Sequence, residues 1–107
     1  VTAATAMEMT LRIRGQVSEC IYRTTTSGLA QLEIKLAAPG DQMVRAIHTY
    51  PNKSQASHYA ASHLARQIKG RTVELYGTEP RFARQRLECV AVHVALDQAD
   101  NRKDIHS

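Results

Sequence analysis

Tryptophan is absent from this 107-residue chain, phenylalanine occurs once and tyrosine four times. The core must therefore be mainly aliphatic; the aromatic rings are Tyr22, Tyr50, Tyr59, Tyr76 and Phe82. Cysteine is scarce too: Cys20 and Cys89 sit in apolar strand-like runs, where the two could bridge if their strands adjoin, but buried free thiols are the reading preferred. There is no Cys-x-x-Cys pair, and His58 and His63 stand five apart rather than the four that would set two imidazoles on one helix face. No metal and no cofactor are expected. Ser27, Cys20 and Cys89 lack a recognisable base with an orienting acid, and Gly28, Gly40, Gly70 and Gly77 do not assemble a phosphate-cradling loop, so no enzymatic chemistry is expected. No apolar run approaches the ~20 residues of a membrane helix. Val1 to Ala6 is neutral and too short for the apolar centre of a signal peptide, which points to a reduced cytoplasm.

What is present is cationic charge of a particular kind. Fourteen Lys and Arg face ten Asp and Glu, for a net charge of +4 and a pI near 9.4. Ten of the fourteen are arginine, which favours forked contacts to phosphate or carboxylate and stacking on rings. This length suits one domain.

Along the chain, residues 1–8 read as a disordered lead-in, residues 9–96 as the domain and residues 97–107 as a flexible polar tail. Met9, Leu11, Ile13 and Val17 alternate with Thr10, Arg12, Arg14 and Gln16, the pattern of a half-buried strand. Gly15 marks a bend of the sort that lets one long strand serve both sheets of a small barrel. A hydroxyl-rich turn, Arg23 to Gly28, leads to a second strand, Leu29 to Leu36, and Met43 to Tyr50 reads as a third. Ser54 is an N-cap, and Gln55 to Lys69 runs without Pro or Gly to Gly70, which suits the left-handed position past a helix end. The apolar stripe of that helix reads as Ala56, Tyr59, Ala60, His63, Leu64, Gln67 and Ile68, placing Tyr59 in the core. Thr72 to Tyr76 alternates as a fourth strand, Gly77 to Arg86 reads as a loop, and Leu87 to Leu96 is the fifth. In that last strand Val90, Val92, Val94 and Leu96 share one face and Cys89, Ala91, His93 and Ala95 the other, with the second face expected to be covered in part.

Three strands, one helix and two strands make an all-β fold with one helix: a five-stranded Greek-key barrel of the OB type, order β-β-β-α-β-β. The run Tyr22 to Gly28 followed by Leu29 to Leu36 resembles the first hairpin of bacterial single-stranded-DNA-binding proteins. Leu64 to Gly77, with its Lys-Gly pair, a spacer, Val73 and a closing glycine, is similar to the helix end and fourth strand of the same family. The chain lacks that family's base-stacking tryptophans, its long hairpin between strands two and three, and its acidic, proline-containing tail. The resemblance therefore implies a smaller relative, like the primosomal replication protein N or an accessory protein of a mobile element, active in replication or recombination. It implies single-stranded DNA or RNA as partner, little sequence preference, and a homodimer or homotetramer.

On such a barrel, nucleic acid tracks arginine and lysine and stacks on rings across strands two and three, flanked by the first and last hairpin loops. The candidates are Arg12 and Arg14 on strand one, Arg23 by the first turn, Lys35 and Arg45 on strands two and three, and Arg81, Arg84 and Arg86 in the last loop. Tyr22, Tyr50 and Phe82 are the candidate rings; for Tyr22 and Tyr50, stacking and barrel capping both remain open. The alternative function is an OB-like protein-interaction module or a structural subunit of a larger assembly, in which the same arginines and Phe82 meet an acidic surface.

Overall fold

The computed structural model of the protein describes residues 10–96. The expected disordered lead-in and flexible tail, residues 1–8 and 97–107, lie outside the described residues. The elements are β1 (Leu11–Thr24), β2 (Ala30–Ala38), β3 (Gln42–Thr49), α1 (Gln55–Ile68), β4 (Thr72–Ala83) and β5 (Arg86–Leu96), with a short 3-10 turn at Pro39–Asp41 between β2 and β3. The strands close into a barrel in the order β1-β2-β3-β5-β4. That is the OB-fold barrel expected from the sequence. All neighbours are antiparallel except β3 and β5, which run parallel.

Closure depends on β1. Its first half, from Leu11 to Gln16, pairs with β4, and from Gln16 onward it pairs with β2. Gly15 stands at the handover, and a Cβ there would lie 2.5 Å from the Ala37 carbonyl oxygen and 2.7 Å from Leu36 Cδ1. Only a residue without a side chain lets the two strands approach this closely. A register shift between Val17 and Glu19 adds to the bend.

Val17, Leu32, Ile34, Leu36, Val44, Val73 and Leu75 fill the barrel, and α1 covers it with Ala61, Ala65 and Ile68. Ser54 caps α1 by accepting from the Ser57 amide at 3.1 Å, while Asn52 Oδ1 accepts from both Ser54 Oγ and Ser57 Oγ. Gly70 adopts φ +79° just past the end of the helix.

Two expectations need correction. Tyr59 is not in the core: it is 70% exposed. The buried stripe runs through alanines 61 and 65, whose small side chains let the helix lie close to the barrel mouth. The stretch from Gly77 to Arg86 is not a loop but the outer part of a long hairpin, turning at Arg84 and Gln85, both with positive φ. In β5 the second face is covered over its first half, as expected: Cys89 and Ala91 point into the barrel, and Val90 and Val92 point outward. A register shift between Tyr76 and Gly77, opposite Ala91 to His93, then returns Val94 and Leu96 to the core side.

Candidate nucleic-acid interface

Cross-strand partners share a face of a sheet, so the ladders say which side chains meet on the outside of the barrel. Lys35 stands opposite Glu19 on β1 and Arg45 on β3, Arg45 opposite Glu88 on β5, and Glu88 opposite Arg81 on β4. One band of charge therefore crosses all five strands, with Glu33 and Arg23 in the adjoining rows.

The band is internally paired. Glu33 accepts from Arg45 Nε and lies 3.5 Å from Arg23, while Glu88 is within 3.3 Å of both Arg81 and Arg86 and 3.9 Å of Arg45. Lys35 meets Glu19 at 3.3 Å. Both central carboxylates are nearly buried. The hydrogen bond from Arg45 holds Glu33 below the usual carboxylate range against the opposing effect of burial, with the charges of Arg45, Arg23 and Lys35 adding to it. At Glu88 burial by itself would raise the value, but hydrogen bonds from Arg81 and Arg86 outweigh it and the carboxyl is lowered.

The outer part of the β4-β5 hairpin rises beside this band. Glu79, at φ +54°, and a register shift between Thr78 and Arg81 turn the arm, and the tip carries Phe82, 71% exposed, and Arg84. Between tip and barrel lies an open cleft of about 500 Å³ lined by Glu33, Arg45, Arg81, Phe82, Ala83, Arg84, Arg86 and Glu88. A second, of about 440 Å³, opens on the other side of Arg81 over Ile47, Pro80 and Val90.

No protein-family model matches the chain, and no curated protein matches it. What it can bind is therefore read from its own side chains.

Of the eleven residues expected at the interface, Arg45, Arg81, Phe82, Arg84 and Arg86 meet around the first cleft, and Arg23 joins them through Glu33. Lys35 neighbours Arg45 on the same face. Arg12 and Arg14 pair in register with Tyr76 and Glu74 on the β1-β4 side, with Arg12 bridging Glu74 at 3.1 Å, and stay apart from the cluster. Tyr22 stands opposite the fully buried Leu32 and turns toward α1, not toward the cleft. Its hydroxyl lies 2.6 Å from His58 Nδ1, and His58 Nε2 lies 2.9 Å from the Gly28 carbonyl. A carbonyl only accepts, so Nε2 carries the proton; in the neutral ring Nδ1 accepts and Tyr22 donates. Tyr50 is half-buried against the core and meets His48 edge-on at 5.0 Å. Tyr50 thus packs against the core, while Tyr22, still 37% exposed, is tied to α1 through His58.

Sequence reasoning missed the two carboxylates that order the arginines. Their signal was an acidic residue at an outward position on each of two strands, β2 and β5, but pairing them needs the register. Cys20 and Cys89 are free thiols on β1 and β5, which are not neighbours. Burial pushes Cys20 up to about 11 and Cys89 upward as well, so both stay protonated at neutral pH. No helix among the described residues is long and apolar enough to cross a membrane.

Proposed function

We propose that this protein binds single-stranded nucleic acid, in the first instance DNA, with little sequence preference and without catalysis, as an accessory protein of replication or recombination. The observation that carries the reading is Phe82: a ring 71% exposed at the edge of a cleft whose other walls include Arg45, Arg81, Arg84 and Arg86. An apolar ring held in water beside forked cations suits a base stacked on the ring with its phosphates on the guanidinium groups. Every base has a π-face, so such binding tolerates any sequence. Phe82→Ala is expected to weaken binding of dT, dA and mixed oligonucleotides alike, by ~1–3 kcal/mol for one lost stack. A fluorescence titration in which the variant matches the native protein removes Phe82 from the reading.

Self-association belongs to the same proposal through β5, where Val92 is 59% exposed next to the exposed Val90. Sedimentation at the monomer mass at micromolar concentration would count against it.

A further inference from the structure

Between Asp41 and Glu74 the sequence holds no carboxylate, and this stretch includes all of α1. Lys53, Arg66 and Lys69 are exposed and have no ion-pair partner among the described residues. The cations of the cleft, by contrast, are largely tied to Glu33 and Glu88. On the outer side of α1, Tyr59 is 70% exposed, and its ring lies parallel to that of His63, with centroids 6.3 Å apart and planes 5° from each other. Arg66 follows one turn on, since positions 59, 63 and 66 fall on one stripe.

This face is continuous with the cleft side of the barrel. Arg23 ends the charged network on β1 just before the turn at Thr25 to Gly28. The Lys53 stem lies against Gly28, 3.6 Å from where a Cβ would stand, and His58 holds the Gly28 carbonyl. The turn and the start of α1 are thereby packed together, and a cationic route leads from Arg23 over the turn to Lys53 and onto the helix.

We propose that the outer face of α1, centred on Tyr59, His63 and Arg66, is a second contact for the same single strand, reached after it leaves the cleft. The inference rests on the functional reading above. Two features select nucleic acid as the occupant: cations without an ion-pair partner among the described residues, which call for an anion, and an open pair of parallel rings, which offers a base a stacking surface that an acidic peptide does not need.

The test compares two oligo-dT lengths, ~8 and ~30 nucleotides, the shorter lying within the ~4–16 that one OB-fold covers. Tyr59→Ala and Arg66→Gln change exposed side chains, and unchanged melting temperatures would establish that both variants fold. Each is expected to weaken binding of the long oligonucleotide by about tenfold and to leave the short one unchanged. Native protein that binds both lengths, with variants that bind both as tightly as native or weaken both equally, overturns the second contact while sparing the cleft. Native protein that binds neither length removes both readings. A glutamate homopolymer that displaces the long oligonucleotide at equal concentration, and does so through Tyr59 and Arg66, reassigns the face to acidic protein and overturns the proposal.

Discussion

Glu33 and Glu88 act as clamps on the arginines expected to bind. Each guanidinium bonded to a nearly buried carboxylate is held in place, but it is less available to a phosphate. Glu33→Gln should therefore separate stability from affinity. Losing hydrogen bonds between charged groups is expected to cost roughly 1–3 kcal/mol in a denaturant melt, while release of Arg45 and Arg23 raises affinity for oligo-dT several-fold. A variant that loses both stability and affinity would show the clamp to be a positioning device instead. The same residue sets a pH dependence. Its folded pKa lies below the ordinary value of 4.5, so its contribution is fully present above that value and is lost as pH falls through the lower folded one. Melting temperature is expected to drop on acidification below about pH 4.5, less steeply in Glu33→Gln. The positive charges among these residues were legible in the sequence. Their partners were not, because which glutamate faces which arginine depends on register across all five strands.

At the scale of elements, the handover in β1 is the point on which the barrel turns. Gly15→Ala places a methyl 2.5 Å from a backbone oxygen that belongs to the β2 ladder and cannot move freely. The expected loss is ~1–3 kcal/mol, from urea denaturation, and an unaffected midpoint would contradict the account of closure. The bend was readable as a glycine interrupting an alternating run. Two other elements were harder to read. In α1 the apolar periodicity favoured the stripe with the larger side chains, whereas close approach to the barrel selected Ala61 and Ala65 and left Tyr59 in solvent. In the β4-β5 hairpin, Glu79 to Phe82 of β4 are all exposed, so no half-buried alternation develops on that arm, although the facing arm of β5 pairs with β3. Arg84 and Gln85 take positive φ without the Asn-Gly signature of a tight turn, and the stretch reads as a loop.

For the molecule as a whole, the order of strands around one helix was enough to imply the barrel. Where the charge becomes usable was visible only after folding. Ion pairs neutralise much of the β2-β3-β5 face, leaving Arg84 with Phe82 at the hairpin tip and Lys53, Arg66 and Lys69 around α1. A net charge of +4 distributed in this way predicts electrostatic attachment that is moderate in strength and sensitive to salt. The most direct test is the affinity for oligo-dT measured by fluorescence anisotropy over a series of salt concentrations. Each phosphate contact contributes ~0.7 to the fall of log K with log salt on a single strand, so the four cleft arginines, three of them paired with Glu33 or Glu88, predict a slope no steeper than about −3. No binding at low salt, or binding that salt does not weaken, would contradict the reading of this barrel as a single-strand binder.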